Sequence, residues 1–236
     1  MHDFVAKKNL CMFEYLTSNI TREVGYGKVK TAIKQLKMTN AAGVDNLNTR
    51  FIKMLKKPLL HILTCICNRS FEQQVYPDLY KLAHVTLLQC KDSKEKFNPQ
   101  SPSKVQEKVV VTRVETHMEE TELVPEEQHG CRAKRSTTTA VLSIQDEILR
   151  DMENNINTCV VFCDLSNAFD TLPHKTILAK LRVYGFTESS INWYRSYLPE
   201  KAHFIGLGGA KSETKRIIRG LPQGSLNGSI IFRMSS

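Results

Sequence analysis

Val29, Ile33 and Leu36 recur at helical spacing with Lys28, Lys30, Lys34 and Lys37 between them. The pattern predicts an amphipathic helix with a basic outer face, ending near Met38. Residues 40–45 read as a turn, with Gly43 able to take positive φ, and a second helix is expected over 49–55. After Pro58, the positions Leu59, Leu60, Leu63, Ile66 and Phe71 mark a further helix closed off by Pro77. Residues 83–88 are β-branched and aliphatic enough for a strand, whereas 91–103 turn polar without period and read as a loop or linker. Val105, Val109, Val110, Val114 and Met118 predict a helix towards Glu122. A loop over 125–136 then ends in Ser/Thr residues suited to cap a helix of Ala140, Val141, Ile144, Ile148 and Leu149. The unbroken apolar run 159–163 has the pattern of a strand buried on both faces. Helices over 174–184 and 189–197, separated by Gly185, precede two short strands, 202–206 and 214–218, joined as a hairpin by Gly208 and Gly209. Residues 220–225 make a rigid turn into an apolar tail, and no internal repeat or low-complexity segment is visible.

Composition narrows the class. The 236 residues allow one large domain or two small ones, and no apolar run approaches the roughly 18 residues that a spanning helix needs. Residues 1–8 lack the pattern of a secretory signal, which points to an intracellular location, cytoplasmic or nuclear. The cysteines at 11, 65, 67, 90, 131, 159 and 163 are odd in number and irregularly spaced, so reduced thiols are expected. His61 and Cys65 share a helix face but Cys67 points elsewhere, which favours packing over a metal site. Lys plus Arg (33) exceed Asp plus Glu (24), giving +9. That excess suits either a polyanionic partner or a merely solvated surface.

Candidate chemistry concentrates in three places. Asp164 ends the apolar run, where a carboxylate either holds Mg²⁺ through hard oxygen ligation or caps the next element. Asp170 and Thr171 precede Leu172 and Pro173 and read as N-caps. Arg132, Lys134 and Arg135 crowd a loop before a helix start, as solvated charges or as a phosphate cradle. Phe169 reads alone as a core residue, and Leu221-Pro222-Gln223-Gly224 as a turn.

Phe162-Cys163-Asp164-Leu165-Ser166-Asn167-Ala168-Phe169-Asp170-Thr171-Leu172 closely resembles the first catalytic motif of reverse transcriptases from non-LTR retrotransposons of the jockey-like type. Four other stretches agree in order: 41–45 (Ala-Ala-Gly-Val-Asp), 81–85 (Lys-Leu-Ala-His-Val), 128–137, and 220–225 (Gly-Leu-Pro-Gln-Gly-Ser). Residues 192–198 look like the family's connecting helix, so the resemblance runs from about residue 24 to the C-terminus. Five motifs in order are far more specific than any one of them.

The resemblance implies an α+β fold of right-hand polymerase fingers and partial palm, with helices packed on an incomplete antiparallel sheet. Residues 1–22 would be an N-terminal extension, 23–157 a fingers-like region with a linker at 91–103, and 158–236 a partial palm. It implies Asp164 as the catalytic carboxylate, with Asp164 and the Leu165 carbonyl as Mg²⁺ ligands of a two-metal nucleotidyl transfer. Leu165, Asn167, Ala168, Phe169 and Gln223 would contact the nucleotide, the Phe169 ring excluding a 2′-hydroxyl. Arg132, Lys134 and Arg135 would face the template. The implied partners are an RNA template, a DNA primer or hybrid duplex, and deoxynucleotides.

The chain departs from the family pattern at three points. Cys131 stands where the family usually has Phe, and 91–105 lacks its Tyr-Arg-Pro-Ile-Ser-Leu-Leu-like strand. The 236 residues also stop before the Tyr/Phe-Ala-Asp-Asp motif that supplies the remaining carboxylates. A chain inactive as written is therefore expected, with a non-catalytic RNA- or DNA-binding protein and a decayed reading frame as alternatives.

Overall fold

The computed structural model describes residues 18–38, 47–87, 95–98, 101–130, 132, 134–163, 171–207, 210–217, 219–221 and 225–235. Along the chain these form α1 (Tyr26–Gln35), α2 (Thr49–Met54), α3 (Lys56–Gln73), a 3-10 turn (Asp78–Lys81), β1 (Leu82–Leu87), β2 (Glu95–Asn98), α4 (Ser101–Glu120) and α5 (Thr137–Glu153). Then come α6 (His174–Val183), α7 (Glu188–Tyr197), β3 (Ala202–Leu207), β4 (Ala210–Lys211), β5 (Lys215–Arg216) and α8 (Leu226–Ser235). The class is α+β, as expected.

α4 is the axis of the helical part. Val105, Val109, Val110, Val111, Val114 and Met118 are all buried, so its apolar surface runs nearly all round and is covered by α1, α2, α3 and α8. An aromatic cluster closes one end: Phe71, Tyr76, Trp193, Tyr194 and Tyr197 are buried, with Trp193 stacked on Tyr197 at 5.3 Å and edge-on to Tyr76 at 5.5 Å. Ser70 ties this cluster to the axis. Its hydroxyl accepts hydrogen bonds from Trp193 Nε1 (3.0 Å) and Gln106 Nε2 (2.6 Å) and donates to the Val75 carbonyl (2.5 Å). Two buried side-chain donors and one backbone carbonyl are satisfied at one atom.

The sheet runs β2-β1-β3-β4, with β5 also paired to β3. β1 pairs antiparallel with β2 but parallel with β3, and this corrects the expectation of an antiparallel sheet. The connection from β1 to β3 passes through four helices among the described residues, the long crossover that parallel pairing requires. Residues 202–206 form a strand and double back onto themselves as expected, the return being made in two short pieces, β4 and β5.

Two readings of local structure are corrected. The polar stretch 91–103, read as loop, contains β2 and the first turn of α4. An edge strand is held by main-chain bonds to one neighbour, so its side chains need no apolar period. The run 159–163, read as a doubly buried strand, is exposed chain without regular structure, with Val161 77% and Phe162 82% accessible. A buried strand needs partners on its edges, and among the described residues none lies beside it. The preceding helix, α5, likewise has no buried residue, although its cap forms as predicted.

At Gly206 the backbone meets the ring of His84 on β1, and an added methyl would overlap that ring. His84 also stacks on Phe204 at 5.1 Å. Gly206→Ala should therefore cost about 1–3 kcal/mol in chemical denaturation. In a His84→Ala background the same change should cost clearly less; equal costs would mean that the close approach does not select glycine.

Candidate functional site

The basic loop is built by its own backbone. Pro125 O accepts hydrogen bonds from Gln128 N (3.2 Å) and from the Arg132 guanidinium (2.9 Å), so Arg132 spans the loop as a brace and is half-buried. Lys134 takes a left-handed backbone (φ 62°), and Arg135 N returns to Arg132 O at 3.3 Å. Ser136 then caps α5: its hydroxyl accepts from Thr139 N (3.2 Å) while Thr139 Oγ1 accepts from Ser136 N (2.9 Å), a capping box with threonine as the reciprocal partner. His129 Nδ1 holds the same threonine at 2.8 Å. Lys134 and Arg135 are left exposed just before a helix N-terminus, with no ion pair among the described residues. Exposed cations and the positive end of a helix dipole together suit a phosphate. Of the three expected cations, two are free for a ligand and Arg132 is chiefly a brace.

Asp164, Leu165, Asn167, Ala168, Phe169 and Gln223 lie outside the described residues, as do Asp170, Pro222 and Gly224. Their flanks are described, and they converge. Gly220 N donates to Leu172 O at 3.1 Å, and His174 Nε2 donates to Gly220 O at 3.1 Å. Gly220 itself is buried with φ 80°, a conformation that glycine tolerates best. The chain leaving the first motif is thus stitched to the chain entering the Gly-Leu-Pro-Gln-Gly-Ser turn. At the far end of that turn, Ser225 caps α8 through Gly228 N (2.9 Å), and Leu226 N donates to Glu107 Oε2 at 2.9 Å.

Glu107 is the residue that patterning missed. It is 2% exposed, takes the Tyr197 hydroxyl on Oε1 at 3.1 Å, and faces the buried Lys201, whose ammonium sits 3.3 Å from the centre of the Tyr197 ring. Burial pushes Lys201 down to about 7; the Glu107 carboxylate opposes that drop and the nearby Lys81 adds to it. Lys81 is itself buried and paired with Asp78 (2.8 Å) and Glu200 (3.6 Å). Burial likewise raises the phenols of Tyr76 and Tyr197 well above the usual range and pushes Cys67 up to about 12. The available signal for Glu107 was an acid on the apolar stripe of α4, three, four and seven residues before Val110, Val111 and Val114.

Among the described residues no group of three His, Cys, Asp or Glu side chains is arranged to hold a metal ion. Cys65 Sγ lies 3.8 Å from His61 Nε2 on an exposed face of α3, while Cys67 is buried in the core.

Residues 91–235 match the reverse transcriptase (RNA-dependent DNA polymerase) family, and the chain belongs to it. Its likeness is to the jockey-like type from non-LTR retrotransposons. It is 28% identical, over 96% of its length, to the RNA-directed DNA polymerase from mobile element jockey of Drosophila melanogaster. It is 25% identical over 87% to the probable RNA-directed DNA polymerase from transposon BS, and 24% over 89% to that from transposon X-element, both of the same fly. The chain spans only about a quarter of these relatives, 26%, 23% and 24% of their lengths.

Lys201 generates a pH prediction. Its folded pKa lies below the ordinary 10.5, so above about pH 7 the unfolded chain binds a proton that the folded chain does not. Stability contributed by this group should rise with pH from about 7 towards 10.5. Cys67 and the tyrosines act in the opposite sense above about pH 9, because their folded pKa values are raised. Urea melts between pH 7 and 9 should show the rise in the wild type and its loss in Lys201→Met; parallel profiles would refute the assignment.

Proposed function

We propose that these residues form the nucleotide- and template-handling part of a retroelement reverse transcriptase, fingers over 23–157 and part of the palm over 158–236. The observation that carries this reading is the Gly220–Leu172 bond, which draws the two motif segments together at their described ends. Glu107 and Ser225 hold the described residues at the other end of the turn.

In this reading Asp164 and the Leu165 carbonyl offer hard oxygen donors of the kind Mg²⁺ takes. The ion supplies charge stabilisation to phosphoryl transfer when bound. Asn167 and Ala168 line the nucleotide, Phe169 stands beneath its sugar and selects deoxynucleotides by bulk, and Gln223 hydrogen-bonds it. Lys134 and Arg135 take template phosphates at the α5 N-terminus, with Arg132 holding the loop in shape. The substrates are an RNA template, a DNA primer or hybrid duplex, and deoxynucleoside triphosphates. No helix among the described residues is long and apolar enough to cross a membrane.

Asp164 is the single carboxylate that the family pattern assigns within these residues, and one carboxylate does not hold two Mg²⁺ ions against their hydration. The 236-residue chain by itself should therefore give no primer extension with Mg²⁺ or Mn²⁺. Template-dependent incorporation that vanishes in Asp164→Ala would overturn this.

Lys134→Ala/Arg135→Ala should weaken hybrid-duplex binding and flatten its salt dependence by roughly two phosphates' worth. Arg132→Ala should act more through loop stability than through charge. A double variant that binds like wild type at every salt concentration would remove the loop from the interface.

A further inference from the structure

The positive charge is not spread evenly. Between Val24 and Phe71 stand Lys28, Lys30, Lys34, Lys37, Arg50, Lys53, Lys56, Lys57 and Arg69 against one acid, Asp45, so this segment alone accounts for +8 of the +9. Its helices are arranged to concentrate it. α1 and α3 run side by side in opposite directions, because Val24 N bonds Asn68 Oδ1 (2.8 Å) and the Tyr26 hydroxyl shares a hydrogen bond with His61 Nδ1 (2.5 Å); from α2, Lys53 Nζ reaches the carbonyls of Lys34 (3.0 Å) and Leu36 (2.6 Å).

That pairing lines up two rows. On α1, Tyr26, Lys30 and Lys34 follow one another at four-residue steps, about 6 Å apart along the axis. On α3, Lys57 lies one turn before His61. Lys30, Lys34 and Lys57 are exposed and make no ion pair among the described residues. At the end of the rows the Tyr26 and His61 rings stack, 5.8 Å between centres and 16° between planes, with Tyr26 50% exposed. Lys53 is spent on the carbonyl end of α1 and so fixes the spacing without adding a free charge.

We propose that this α1–α3 seam binds an unpaired nucleic-acid strand, its phosphates on Lys30, Lys34 and Lys57 and one base on the Tyr26–His61 pair. A row of cations ending in an exposed aromatic platform is what a flexible polyanion with planar bases fits. The aliphatic residues of α1, Val29, Ala32 and Ile33, are buried, so α1 offers no insertable apolar face and a membrane surface fits it less well. The seam uses no residue of the 125–136 loop and is a second site on the chain.

The test is fluorescence anisotropy of the full 236-residue chain with short labelled oligo-U RNA, oligo-dT DNA and an abasic sugar-phosphate strand over a range of salt, with sedimentation on phosphatidylserine vesicles in parallel. Lys30→Ala/Lys34→Ala/Lys57→Ala should flatten the log–log salt slope by about 2, at roughly 0.7 per phosphate. Tyr26→Leu should weaken oligo-U and oligo-dT binding about fivefold or more, leave the salt slope unchanged and leave the abasic strand untouched, while Tyr26→Phe keeps the affinity for base-bearing strands. A stronger effect on RNA or on DNA names the strand taken. Wild-type affinity and slope in both the triple lysine variant and Tyr26→Leu would overturn the seam. If Lys134→Ala/Arg135→Ala still loses binding in that case, the loop reading stands and the seam alone falls. Lysine-dependent binding to vesicles without lysine-dependent binding to oligonucleotides would also overturn it. Circular dichroism of each variant verifies that these exposed substitutions leave the fold intact.

Discussion

A single buried carboxylate, Glu107, decides how the pieces of this chain meet. It projects from the central helix α4, takes the Tyr197 hydroxyl from α7 on one oxygen and the first amide of α8 on the other, and faces the ammonium of Lys201 at the start of β3. Burying a carboxylate is tolerable only when its oxygens are filled, so the Tyr197 hydroxyl and the Leu226 amide are each required to be where they are. The asymmetry is severe. With all partners present the group specifies one arrangement of three helices and a strand, and with one missing it becomes an uncompensated buried charge.

That constraint reaches the functional segment through the backbone. Leu226 is the residue at which the Gly-Leu-Pro-Gln-Gly-Ser turn hands over to α8, so Glu107 fixes one end of the turn while Leu172 fixes the other. The described ends of the turn that carries the proposed nucleotide contact Gln223 are thereby tied to the buried interior. The cationic surface is organised on the opposite principle. Lys134, Arg135, Lys30, Lys34 and Lys57 stay in water, where charge acts at a distance and costs no desolvation.

Most of the helices were legible because burial on one face imposes a period: Val29–Ile33–Leu36 and the valines of α4 announce theirs directly. The Ser136 cap was readable for the same local reason, since capping is decided within four residues. What escaped depends on partners distant in sequence. β2 is held by main-chain bonds to β1, the parallel register of β1 with β3 joins residues 82–85 to 202–205, and Glu107 has partners 90 and 119 residues away. The run 159–163 misled because aliphatic composition records a tendency to be covered and says nothing of what does the covering. The motif resemblance succeeded where period failed. Its residues are chosen by chemistry that a ligand dictates, and are largely indifferent to local propensity.

Trp193 is the sole tryptophan of the chain, and it stands where α3, α4 and α7 are sewn together through Ser70. Its indole is dry, hydrogen-bonded, and surrounded by Tyr76, Tyr194 and Tyr197 within 5.5 Å between ring centres. Emission from this protein under selective excitation therefore comes from one junction. Its wavelength registers whether water has entered there, and energy passed from the three phenols registers whether the neighbouring elements are still in contact. The fold carries its own optical gauge at the point where its helices are joined.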